Sequence, residues 1–230
     1  MSRVKYALLP AIALVVVAAV TASASPSVPE WFKGGSPIGE ATSISFTGKS
    51  ISGTPTLQST VGNKVVCESS SSKGEISGPR AIKNTKVTYH GCAEGMTKCN
   101  SAGQAEGTVV TNTLVGENVY LDSAHQKAGV VLKAASGTKF ATFKCGSSEV
   151  QVTGNLIAET SPLNEGDKTT GRLSFAQEEG HELWEKVEEA GESKHIVAFL
   201  VEAGVGGGTT DSSPLKEEDT FSSAVELHRS

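Results

Sequence analysis

Between Gly129 and Glu159 the chain reads GVVLKAASGTKFATFKCGSSEVQVTGNLIAE. Three apolar runs, VVL, FATFKC and VQVTGNLI, are separated by the polar breaks SGTK and GSSE. Val150 and Val152 alternate with Gln151 and Thr153, and Ala141, Phe143 and Cys145 share one parity. A period of two puts alternate side chains on opposite faces of a pleated strand, and Gly-Ser breaks suit tight reversals. The stretch therefore predicts a hairpin-linked meander, which needs further strands to cover its apolar face.

The rest of the chain supplies them. SISF at 43–46, TPTLQSTV at 54–61, KVVCESS at 64–70, NTKVTYHGC at 84–92, GTVVTNTLVG at 107–116, NVYLD at 118–122, GRLSFAQ at 171–177 and KHIVAFLVE at 194–202 are short and rich in Thr and Val. Side chains branched at Cβ fit a pleated surface, and turn signals recur about every 8 to 12 residues, as in sandwiches and barrels. The expected fold is all-β: one antiparallel β-barrel or a two-sheet β-sandwich spanning 42–203. Residues 25–41 read as an extended lead-in whose Trp31 and Phe32 dock on a sheet face or plug a barrel end. The segment 178–192, EEGHELWEKVEEAGE, fits either a strand or one short amphipathic helix, and its flanking strands favour the strand. Residues 204–219, GVGGGTTDSSPLKEED, have the composition of a flexible linker, and 220–230 that of a final edge strand or tail.

The first residues belong to export rather than to the fold. Arg3 and Lys5 precede the apolar run from Ala7 to Val20, and Ala22-Ser23-Ala24 offers the small residues of a cleavage site. The run is shorter than the ~20 residues of a membrane span and contains Pro10. The expectation is a signal peptide over 1–24, a secreted or cell-surface protein, and no membrane span after cleavage. The remaining chain holds 18 Lys+Arg against 25 Asp+Glu, a net charge of −7. An acidic chain without Arg clusters argues against nucleic acid as a partner and against anionic membrane surfaces.

All four cysteines, Cys67, Cys92, Cys99 and Cys145, follow the leader. An even count in an oxidising compartment implies two disulfides, with three connectivities open. Cys92 and Cys99 flank the loop GCAEGMTKCN, where a local bridge is sterically easy. That leaves Cys67 and Cys145, each at the end of a strand-like run. The expected pairing is therefore Cys92–Cys99 and Cys67–Cys145. A four-cysteine zinc site is disfavoured, because the intervening segments of 24, 6 and 45 residues lack the short paired spacing such sites use.

Chemistry-bearing motifs are sparse. His181-Glu182 begins like H-E-x-x-H, but position 185 is Glu, so the second imidazole is missing. No G-x-S-x-G occurs, and disulfide bonding removes the cysteines as nucleophiles. Gly206-Gly207-Gly208 lacks the following Lys-Ser/Thr of a phosphate-binding loop, and no D-x-D-x-D-G calcium loop is present. His90 and Tyr89 are neighbours on one strand, so one of them faces outward. No catalytic, cofactor-binding or metal-binding residue is expected.

Six segments stand out together: PEWF at 29–32, GEISGP at 74–79 after the Cys67 strand, VTYHGC at 87–92, KCNS at 98–101, GTVVTNTLVGENVYL at 107–121 and GVVLKAASGTKFATFKC at 129–145. In that order they resemble a family of uncharacterised exported proteins of actinobacteria. The resemblance covers Pro29 to Glu159. It implies secretion, a β-rich fold and a four-cysteine frame, and it carries no catalytic residue. The expected role is non-catalytic, as a structural or binding component of the cell envelope or its surroundings. The alternatives are a barrel that carries a small apolar ligand, and a wall-polysaccharide hydrolase with two carboxylates facing across a groove.

Overall fold

Alternation carries directly into burial. Along SISFTGKSIS, Ile44, Phe46 and Gly48 are buried while Ser43, Ser45, Thr47 and Lys49 are exposed. The computed structural model describes residues 28–59, 64–175, 177–178, 181–182, 186–189, 192–195, 200–203, 208–212 and 215–229. The predicted signal peptide lies outside them.

The strands, in chain order, are β1 (Glu30–Lys33), β2 (Ser36–Pro37), β3 (Ser43–Ser52), β4 (Thr56–Ser59), β5 (Lys64–Val66), β6 (Ser69–Ser77), β7 (Ala81–His90) and β8 (Ala93–Glu94). They continue with β9 (Thr97–Asn100), β10 (Val109–Val110), β11 (Leu114–Tyr120), β12 (Ala128–Ala134), β13 (Lys139–Cys145), β14 (Ser148–Ser161) and β15 (Lys168–Phe175). The last are β16 (Gln177–Glu178), β17 (His181–Glu182), β18 (Lys186–Glu189), β19 (Glu192–His195), β20 (Leu200–Ala203), β21 (Gly208–Ser212) and β22 (Leu215–His228). No helix occurs among the described residues, and those between 178 and 192 are strand. The barrel alternative is the one realised. β3, β6, β7, β11, β12, β14, β15 and β22 pair in that cyclic order, all antiparallel, and β22 closes back on β3. Closure removes the open edges that an isolated sheet would present.

Eight further pairings close a second, shorter ring: β4, β5, β8, β9, β13, β14, β20 and β21. The two rings share β14. Its first half pairs with β13 and β20, and its second half with β12 and β15. Gly154 sits at the changeover with φ of 115°, a conformation that a side chain disfavours. The shorter ring thus forms a collar on one end of the barrel.

The other end is closed by the lead-in. β1 pairs with the end of β22, and Trp31 is buried with its ring edge-on to Phe221 at 5.8 Å. This is the plug expected of the Trp31-Phe32 pair; Phe32 itself is only half-buried and packs on His228. A separate apolar patch on the outer face of β11, β12 and β14 (Val119, Val131, Ile157) is covered by Val187 of β18.

Two expectations are corrected. The segment 204–219 is not a plain linker: Gly208–Ser212 completes the collar, and Leu215–Asp219 opens β22, a barrel strand of 14 residues. Its Gly-rich composition masks an alternation that becomes visible only with Phe221 two residues beyond Asp219. The disulfides are Cys67–Cys92 and Cys99–Cys145, not Cys92–Cys99 and Cys67–Cys145. The reason is register. Cys99 donates its N–H to the Cys92 carbonyl at 2.9 Å and the Cys92 N–H goes to Gly107, so a backbone hydrogen bond and not a disulfide joins Cys92 to Cys99. Each side chain turns instead to its other neighbour, with Cα atoms 3.9 Å apart for Cys67–Cys92 and 4.1 Å for Cys99–Cys145. The two bridges lie side by side on the collar.

Candidate functional site

The collar and the barrel meet around a cavity of about 80 Å³, measured over the centres of water-sized spheres. Room for one water is ~10–15 Å³ in the same measure, so this space takes several waters or one small organic molecule. The collar contributes Leu57, Val65, Phe140, Ala141, Phe143 and Val152. The barrel contributes Val87, Leu132, Leu156 and Phe175, and two polar side chains, Tyr89 and Glu217. The walls are mainly hydrocarbon, with Thr56 and Thr111 as neutral polar members, and the ionisable groups stand on the barrel side.

Register explains the placement of the polar groups. Glu217 of β22 is partnered by Ser50 of β3, and Ser70 of β6 by Tyr89 of β7, so the four form one row around the inside of the barrel. One step deeper, Asp219 is partnered by Gly48, Gly48 by Ser72, and Ser72 by Val87. Below that lie Phe221, Phe46 and Gly74. Glycine at position 48 is required by space: a Cβ there would collide with the side chains of Asp219, Glu217 and Ser72. A second void of about 20 Å³, bordered by Asp219, Trp31, Phe46, Ile76 and Phe221, lies beneath the acids. The two carboxyls thus partition the interior of the tube.

Glu217 is 2% exposed and Asp219 5%, so neither charge is hydrated in the ordinary way. Ser72 Oγ donates to Glu217 Oε1 and lies 3.5 Å from Asp219 Oδ1. Among the described residues no Lys, Arg or His forms an ion pair with either acid. Burial pushes the Asp219 carboxyl up to about 7; the neighbouring Glu217 charge adds to this, and the Ser72 hydrogen bond opposes it. Burial likewise raises Glu217, again against the Ser72 hydrogen bond. Burial, then the Glu217 charge, raises the Tyr89 phenol, which stays protonated at neutral pH. The acids titrate as a coupled pair that retains a proton near neutrality. Chemically, the row can accept hydrogen bonds, share a proton or neutralise a cation.

The residues singled out from sequence fall elsewhere. The four cysteines brace the collar, and of these Cys67 also borders the cavity. His90 is exposed beside Ser71, while its neighbour Tyr89 turns inward, resolving which of the two faces out. His181 and Glu182 lie in the separate β16–β17 pair. The two buried acids are neighbours on one strand, so they do not form the facing pair expected of a polysaccharide hydrolase. No group of three or more His, Cys, Asp or Glu suited to a metal occurs among the described residues. Sequence reasoning missed Glu217 and Asp219. The signal that could have found them is their parity with Phe221, Val225 and Leu227, whose side chains are all buried.

Compared with known protein families, curated proteins and solved structures, the chain matches none.

Proposed function

We propose that this protein is exported and holds one small, largely apolar molecule in the cavity between collar and barrel. The observation that carries the reading is the cavity itself: an interior space walled mainly by hydrocarbon from both rings, with its ionisable side chains, Tyr89 and Glu217, on the barrel side. Pockets of that kind gain affinity from apolar burial and orientation from a few polar groups. The volume suits a ligand of roughly half a dozen non-hydrogen atoms or fewer. Two disulfides fit an oxidising compartment, in keeping with the leader-like first residues. The leader-like start of the chain and the resemblance to exported proteins agree with a role at or beyond the cell surface.

The test is a thermal-shift series with linear alcohols from butanol to decanol on the disulfide-intact protein. A ligand that binds only the folded state raises its melting temperature. The shift is expected to grow with chain length and then stop where the cavity is full. Ala141→Leu, which places extra carbon inside the same space, is expected to abolish the shift while leaving the fold intact. No shift with any alcohol, together with no organic molecule extractable from natively purified protein, would leave the cavity a packing void and favour a purely structural role.

A further inference from the structure

We infer that the molecule held in the cavity is an apolar amine, its ammonium group seated against Glu217 and Ser70 with Asp219 behind them. This rests on the binding role proposed above and adds the chemistry of the head group. Two observations carry it independently. The first is the acid pair, almost wholly removed from solvent and without a cationic partner among the described residues. A buried carboxylate is costly unless a cation or several donors compensate it, and the described residues supply one serine hydroxyl for two acids. The second is Ser70. Its hydroxyl is buried and has no hydrogen-bond partner among the described residues. By register it stands in the same inner row as Glu217 and Tyr89, both of which line the cavity. A buried hydroxyl without a partner is rare in folded proteins. Here it marks a place where a donor from outside the chain completes the row.

The other ligand classes fit less well. A carboxylate-headed lipid would bring a third anion to the pair. A hard divalent cation needs several converging ligands, and no group of three or more His, Cys, Asp or Glu suited to a metal occurs among the described residues. An alcohol satisfies one acceptor and leaves the charge uncompensated. An ammonium has three donors for three acceptors, and it lets both acids ionise against a cation in a dry site.

Binding such an ammonium expels the proton held by the acid pair, so affinity falls as pH drops below about 7. The groups around the pair do not mask that dependence. Tyr89 on β7 stays protonated. Ser50, Ser70 and Ser72 on β3 and β6 do not titrate. Lys49, Lys73 and Lys216 are exposed, as is Arg172 of β15 at the edge of the lower void.

The experiment is calorimetric titration of the disulfide-intact protein with hexylamine, hexanol and hexanoate between pH 5 and pH 8. Hexylamine is expected to bind at least ~10-fold more tightly than hexanol at pH 8, with hexanoate weakest. Its advantage should shrink towards pH 5, while hexanol stays flat. Glu217→Gln, close in shape to the native residue, should bring the amine-to-alcohol ratio near one. The pH series on the unmodified protein decides the matter if that variant does not fold. Hexanol binding with no preference for hexylamine, or hexanoate binding as tightly as hexylamine, would overturn the amine and leave the apolar cavity standing. Failure of all three to bind would overturn both.

Discussion

Asp219 is a carboxyl group placed where an ionised carboxylate is expensive, and that placement ties the fold to pH. Its ordinary value is 3.8 and its folded value about 7, so the folded state holds a proton that the unfolded chain has released. The resulting stability is complete below about pH 4 and is lost as pH rises through 7. At one unit per ~1.4 kcal/mol, the full span is on the order of 4 kcal/mol, shared with Glu217 through their coupling. The expected outcome is that Asp219→Asn, which keeps the shape and removes the charge, raises the urea midpoint relative to wild type at pH 8 but not at pH 4. Parallel stability profiles for the two proteins between those limits would show that the Asp219 proton has no part in stability. These two acids also show where sequence reading stops. In LKEEDTF, three consecutive acids have the composition of a solvated loop. Only the counting of every second residue from Phe221 back to Asp219 and Glu217 shows that two of the three share the inward parity.

Strand existence was legible at the scale of the element, and strand register was not. The Val, Thr and Phe alternation of 139–161 identifies β13 and β14 because a period of two leaves few other ways to bury one face. Disulfide choice depends instead on register, and that follows from partners far away in sequence. The four cysteines occupy neighbouring strands of the collar, and only the gaps between β5 and β8 and between β9 and β13 are bridged. The loops closed are 25 and 46 residues long, for loop-entropy contributions of about 3.5 and about 4 kcal/mol. The connectivity has a direct test, because Met96 lies between Cys92 and Cys99 and is fully exposed. Cleavage there with cyanogen bromide, without reductant, should yield two separate fragments, each with its own internal bridge. Both other connectivities join residues on opposite sides of Met96. Fragments that stay together until reduced would therefore overturn the pairing.

At the scale of the whole molecule, one strand makes the two rings a single object. β14 gives residues 148–154 to the collar and 155–161 to the barrel, with the positive φ of Gly154 at the changeover. The cavity sits at the same junction, so its walls exist only while both rings are closed. Collar and barrel should accordingly unfold in one cooperative step, since opening either strips β14 of its partners on that side and exposes the hydrocarbon lining. Hydrogen exchange followed by mass spectrometry across a urea series measures this. Peptides covering 93–100 and 139–147 report the collar, and peptides covering 43–52 and 215–228 report the barrel. In the oxidised protein the two sets should lose protection at the same urea concentration. After reduction and alkylation the collar set should lose it first, because its strands are two to seven residues long outside β14 and depend on the bridges. Collar peptides that exchange at lower urea while both disulfides are intact would mean that the cavity opens independently of the barrel, with ligand entry then controlled by the collar alone.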